Sequence, residues 1–175
     1  MTTTTTQGTL FPITTDKPDT GYRATTAANV TGITYRQLDY WARTGLVEPS
    51  ARTAQGSGTS RLYTFRDLLV LRIIRGLLDT GISLPNIRRA VDTLAALGSD
   101  DLASITLFSD GTTVYQCRSP QDIIDLLDGG QGVFGIAVPR LLRDLASRLA
   151  DTRAEPVAAD PPVDELAIRR HRHLA

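Results

Sequence analysis

Residues 32–47, Gly-Ile-Thr-Tyr-Arg-Gln-Leu-Asp-Tyr-Trp-Ala-Arg-Thr-Gly-Leu-Val, carry the reading from which the fold follows. Thr34-Tyr35-Arg36-Gln37 fits a capping box, in which a threonine hydroxyl accepts from the backbone and a glutamine reaches back. The helix it opens runs to about Thr44, where Gly45 can end it in a left-handed conformation. Leu38 and Trp41 stand three apart and share a face to be buried, while Arg36, Tyr40 and Arg43 share another. Upstream, Thr25 to Val30 gives a second short helix, stopped at Thr31-Gly32. Two short helices joined by a few residues including a glycine make a helix-turn-helix unit.

Outward from this unit, Leu46-Val47 and Leu62-Tyr63 bracket a polar, glycine-rich interior with Arg52 and Arg61, which reads as a hairpin-like wing. Thr64-Phe65-Arg66-Asp67 is a second capping box. It opens a helix with Leu68, Leu71, Ile74 and Leu78 on one stripe, closed by Gly81. Ser83 starts another, with Ile87, Val91 and Leu94 at helical spacing and Arg88-Arg89 outside. Gly98-Ser99-Asp100-Asp101 has helix-stop and turn chemistry. Then the period changes. Ile105 to Phe108, Ser109-Asp110-Gly111, and Thr112 to Cys117 read as strand, turn, strand. Ser119-Pro120 starts a helix to Leu127 expected to bury Ile123, Ile124 and Leu127. A glycine-rich link leads to a last helix from about Val138, with Leu141, Leu142, Leu145 and Leu149 along one side.

The expected fold is α+β, mostly α. A disordered, threonine-rich arm covers 1–20, a winged helix-turn-helix head 21–98, a small strand-turn-strand-helix-helix module 99–151, and a Pro- and Ala-rich tail 152–175. No run of about 18 apolar residues suits a bilayer, and the first residues lack a basic and an apolar region for secretion. A cytoplasmic protein is expected. Cys117 is alone, and the two histidines, His171 and His173, lie in the last five residues. A metal centre or a nucleophile–base pair is therefore not expected, and neither is an enzyme or a cofactor.

The net charge of zero hides a division. From Tyr22 to Val91 ten arginines face four acids, a balance of +6. From Asp92 onward eight arginines face thirteen acids, a balance of −5, and residues 1–21 add −1. A basic half joined to an acidic half suggests that one half meets a polyanion.

The order helix-turn-helix, wing, helix pair is similar to the DNA-binding domain of MerR-type regulators. The residues that carry the resemblance are 32–47, RLYTFRDLLVLRIIRGLLDTGISLPNIRRAV at 61–91, and the glycine-containing wing between them. The resemblance implies that the second helix enters the major groove of double-stranded DNA and the wing meets the flanking backbone. Thr34, Tyr35 and Arg36 fall where the family reads bases or nearby phosphates. Tyr40 and Arg43 fall where it holds the sugar-phosphate backbone, and Arg52, Arg61 and Tyr63 fall on the wing. The family commonly has Arg-Tyr-Tyr-Glu where this chain has Asp39-Tyr40-Trp41-Ala42; an acid at 39 either repels phosphate or orients Arg43. The long coiled-coil helix of the family is replaced by the module containing residues 110–138, which resembles an actinobacterial subgroup with a compact α/β domain thought to dimerise. Phe134, Leu141, Leu145 and Leu149 are the expected subunit contacts of a homodimer. By the same resemblance, the dimer distorts promoter DNA and changes how RNA polymerase engages it. The effector, if one exists, is unspecified. Two other readings stand beside this one: a constitutive dimeric repressor or architectural protein without an effector, and a small-molecule-binding module whose basic head docks a protein.

Four further patterns read blandly. Gly130 to Gly135 matches GxGxxG, but no strand precedes it, so it is expected to be a flexible connector. Asp122, Asp125 and Asp128 are solvated acids on one helix. Cys117 is expected to be a buried strand cysteine rather than a redox sensor. The tail's Arg169, Arg170, His171 and Arg172 add non-specific phosphate attraction or nothing.

Overall fold

Three Ser/Thr capping boxes set the helical frame. The computed structural model describes residues 20–53, 60–130 and 132–157. Thr34 caps α2 (Tyr35–Arg43), Thr64 caps α3 (Phe65–Asp79) and Ser119 caps α6 (Pro120–Asp128), each with its reciprocal partner three residues on. The other helices are α1 (Ala24–Thr31), α4 (Leu84–Ala95), α5 (Ser99–Ser104) and α7 (Val138–Leu149). Gly32, Gly45 and Gly81 all have positive φ, so the helix stops at the ends of α1, α2 and α3 use the conformation only glycine adopts without strain.

Among the described residues six short strands form two antiparallel sheets. In the head, β1 (Thr20–Arg23) lies between β2 (Leu62–Tyr63) and β6 (Glu155–Pro156), pairing Tyr22 with Tyr63 and Gly21 with Glu155. This corrects the expected wing. Leu62 and Tyr63 pair with β1, on the boundary of the expected arm, and not with Leu46-Val47; on its other side Leu62 bridges Arg52. Leu46 and Val47 are core residues instead. Gly21 is required here, since a Cβ on it would lie 2.8 Å from Leu62 Cβ. The wing interior, the first nineteen residues and the tail beyond Val157 lie outside the described residues, and with them the tail's basic tip.

The second sheet has the order β4-β3-β5, from β3 (Thr106–Ser109), β4 (Val114–Cys117) and β5 (Phe134–Ala137). The β3–turn–β4 hairpin matches the sequence reading, closed by Asp110 accepting from the backbone N–H of Thr112 and Thr113. These two bonds, with one from Tyr115, hold the Asp110 carboxyl below its usual range. β5 occupies part of what was expected to be a connector. Gly135 explains the disguise: a Cβ there would lie 2.8 Å from the Phe108 ring, so the strand crosses Phe108 only as glycine. Cys117 is buried, and burial, then nearby Asp122, pushes its thiol up.

One set of buried apolar side chains runs from Ala27 in α1 to Leu149 in α7. α3 is its axis: Leu68, Leu71, Ile73, Ile74 and Leu77 are all buried, so the helix is covered on more than one stripe. α7 packs against α1, α3 and α5. Gly98, expected to end a helix, instead precedes α5, which contributes Leu102 to this core. α6 is the exception. It has no buried residue, and Ile124 and Leu127, expected inside, are each 49% exposed; its main packing partner is the short strand β4.

Candidate nucleic-acid interface

α2 presents its polar side because two residues fix the other one. Leu38 and Trp41 are buried, which turns Tyr35, Arg36, Tyr40 and Arg43 outward. Tyr35 is 57% exposed and Tyr40 49%, large aromatic surfaces that a folded protein seldom leaves open without use. The N-terminus is set by Thr34, whose Oγ1 accepts from Gln37 N at 3.1 Å while Thr34 N donates to Gln37 Oε1 at 2.9 Å. Thr34 itself is exposed beside Tyr35.

Asp39 lies in the middle of this face and binds two arginines. Its Oδ1 accepts from Arg61 Nη1 at 2.7 Å and its Oδ2 pairs with Arg43 Nη2 at 2.7 Å. The Arg61 hydrogen bond, opposed by burial and helped by Arg43, holds the Asp39 carboxyl below its usual range. The same bond raises the Arg61 guanidinium further. Asp39 therefore orients Arg43 and also ties α2 to the residue entering β2, a link that spacing in sequence does not reveal. Arg52 is held in turn: its backbone exchanges hydrogen bonds with Leu62, and its Nε donates to Ser60 O at 3.1 Å.

Tyr63 is a correction. Expected on the wing surface, it is wholly buried and part of the core, so it cannot touch a duplex. Its hydroxyl has no hydrogen-bond partner among the described residues, and burial pushes its pKa up to about 12. Beside the remaining residues lies a cleft of about 410 Å³ lined by Arg23, Thr25, Tyr35, Asp39, Ser60 and Arg61. Arg23 was not among the expected site residues; it joins them because β1 runs alongside β2, a pairing that no pattern in residues 20–23 announces.

Other arginines of the basic half serve the fold. Arg66 Nη2 donates to the carbonyls of Leu94, Ala95 and Leu97 at 3.3, 3.1 and 3.0 Å, satisfying the end of α4. Arg72 pairs with Asp144 of α7 at 2.8 Å, Arg75 with Asp79 at 2.9 Å, and Arg88 donates to Thr44 O and Oγ1 at 3.0 and 2.8 Å. Arg23 pairs with Glu155; of the other arginines, Arg36, Arg43, Arg52 and Arg61 lie on α2 and beside β2, while Arg89 lies on α4.

The expected subunit contacts scatter. Leu145 and Leu149 are buried in the chain's own core against the helices around α7, so they are not available to a second copy. Leu141 and Phe134 are half-buried at its margin. Among the described residues no helix is long and apolar enough to cross a membrane.

The family model described as MerR HTH family regulatory protein matches residues 22–94. Uncharacterized HTH-type transcriptional regulators of Mycobacterium bovis and Mycobacterium tuberculosis are 60% identical over 159 residues, covering 87% of this chain and 70% of each relative. That match is longer than 22–94, so it takes in the C-terminal module too. The nodulation protein NolA of a Bradyrhizobium species is 39% identical over 70 residues, 40% of this chain and 28% of its own. With its capped α2 carrying an arginine- and tyrosine-rich outer face on a helix-turn-helix head, the chain belongs to the MerR HTH family of transcriptional regulators.

Proposed function

We propose that two copies of this chain bind a pseudo-palindromic promoter site in double-stranded DNA, each inserting α2 into a major groove. The observation that carries this reading is the outer face of α2: Tyr35, Arg36, Tyr40 and Arg43 stand exposed together, backed by buried Leu38 and Trp41. Tyr35 and Arg36, nearest the helix N-terminus, read base edges, since few side chains at that end reach the groove floor. Tyr40 and Arg43 hold sugar and phosphate, which supply affinity and register rather than sequence. Arg61, Arg52 and Arg23 meet the flanking backbone beside the cleft. Bending a site of this size costs a few kcal/mol, within reach of a dimer's phosphate contacts. Such bending would alter how RNA polymerase engages the promoter. The dimer is proposed from the two-fold symmetry of such sites, with Phe134 and Leu141 as the members of the expected contact set not enclosed in the core.

Selection of bound sequences from a random DNA pool, followed by anisotropy titrations at two salt concentrations, tests the proposal. A specific site with a steep salt slope supports it. Arg36→Ala should lose discrimination at one position, about 1–3 kcal/mol, whereas Arg61→Ala should weaken all sequences alike. No preferred sequence at any salt concentration would refute DNA reading by this head.

A further inference from the structure

Between α4 and the β3–β4 hairpin lies a cleft of about 180 Å³ lined by none of the residues assigned to DNA above. One helical stripe, Asn86, Arg89, Ala90, Thr93 and Leu94, forms one wall. Alternate residues of the hairpin, Thr112, Val114 and Gln116, form the other, together with Leu107, which lies opposite Gln116 in the sheet. The floor is apolar: Leu94, Leu107 and Ala90 are buried, and Val114 packs on the core. The rim is polar, with Thr93, Thr112 and Thr113 exposed. No acid lines it, and one arginine does.

That arginine is unlike its neighbour. Arg88 is committed to Thr44 by two hydrogen bonds. Arg89 donates through Nη2 to the neutral Asn86 Oδ1 and, among the described residues, pairs with no carboxylate. A guanidinium carries five donors in a planar fork that matches a carboxylate, so Arg89 has donors to spare and a full charge at the rim of an apolar-floored cleft. The volume equals that of about six waters of bulk liquid and is below the range of about 300–1,000 Å³ for drug-sized ligands. A nucleotide or a long-chain lipid does not fit.

We propose that this cleft binds a small monocarboxylate with a compact apolar body, its carboxylate on Arg89 and its body against Leu94, Leu107 and Val114, with the amide of Gln116 and the threonine hydroxyls completing the rim. The inference stands apart from the DNA-reading proposal and is tested without DNA.

The experiment is amide-detected NMR of the full chain titrated to millimolar benzoate, with benzamide as the uncharged probe of the same shape. Saturable shifts confined to Asn86, Arg89, Thr93 and residues 112–116, with benzamide weaker, would support the site. Arg89→Gln should then weaken benzoate roughly 10–100-fold, as expected for loss of a charge-assisted hydrogen bond, and Arg89→Lys should keep part of the affinity. Because Arg89 is exposed, neither variant threatens the fold. Shifts that do not saturate or spread over the surface, equal binding of benzoate and benzamide, or unchanged binding by Arg89→Gln would each overturn the proposal.

Discussion

Leu145→Ala asks whether the C-terminal module and the helix-turn-helix head unfold together. Leu145 is wholly buried, on a helix held by α1, α3 and α5. The substitution removes three buried carbon groups, about 2.4 kcal/mol at roughly 0.8 kcal/mol each. A cavity hemmed in on three sides collapses poorly and adds about 1 kcal/mol. The expected loss of 3–4 kcal/mol lowers the midpoint of thermal unfolding by about 7–15 °C for a chain of this size. The single tryptophan, Trp41, is buried in α2 and reports on the surroundings of that helix. Its fluorescence and the far-UV circular dichroism should shift by the same amount and remain coincident, the mark of one cooperative transition. If the Trp41 transition stayed at the wild-type temperature while circular dichroism split in two, the module would be an independent unit and the continuous core would mean nothing energetically.

Tyr63→Phe removes a buried hydroxyl that has no partner among the described residues, so stability should hold or rise by up to about 1 kcal/mol, and DNA affinity should not change; a lower melting temperature, or weaker binding, would contradict the placement of Tyr63. In the wild type its folded pKa is raised to about 12, so its contribution is fully present below pH 10 and lost as pH rises from 10 towards 12. A phenol absorbance titration should show one of the five tyrosines ionising last and Tyr63→Phe lacking that step. Gly135→Ala should cost about 1–3 kcal/mol by forcing the new Cβ on the Phe108 ring, and Phe108→Leu in the same chain should recover part of it in thermal melts. Asp39→Asn leaves Arg43 and Arg61 without a carboxylate. Because the folded pKa of Asp39 is depressed, the wild type's advantage is present above pH 4 and fades as pH falls below it. A difference in melting temperature that persists undiminished at pH 3 would rule the ion pairs out as its source.

How much of this was legible beforehand depended on the range of the interaction. Capping boxes at Thr34, Thr64 and Ser119 are complete within four residues; the first two were read with their partners, and Ser119 was read as a helix start before Pro120. The helix stops at Gly32, Gly45 and Gly81 and the β3–β4 turn are equally local. The strands that escaped, β1, β5 and β6, are two to four residues long and gain their identity from partners elsewhere in the chain: β1 from residues 62–63 and 155–156, β5 from Phe108 passing over Gly135. Tyr63 was misplaced for the same reason. A residue in a wing pattern alternates in or out by register, and the register of β2 was set by β1, which carried no signal. Ile124 and Leu127 erred in the other direction, since helical spacing shows which residues share a face but not whether anything covers it.

The acid at position 39 looks misplaced on a surface meant for phosphate, and its geometry resolves the difficulty. Solvent screens an ion pair at the surface, so Asp39 does little to hold the head together. Its effect is on order. Arg43 and Arg61 each lose about 2 kcal/mol of side-chain freedom when fixed, a cost that would otherwise be met on binding DNA. Asp39 fixes both beforehand, one from α2 and one at the edge of β2. The carboxylate cancels one positive charge of two, and that loss is tolerable because Arg36 and Arg52 stand close by, whereas Arg23 is itself paired with Glu155. Elsewhere in the basic half, charge is consumed where helices end or meet: Arg66 at the last carbonyls of α4, Arg72 against Asp144 of α7, Arg88 at the last turn of α2. A chain of zero net charge can thus keep a positive face, because its arginines are sorted by what they touch rather than by where they occur in the sequence.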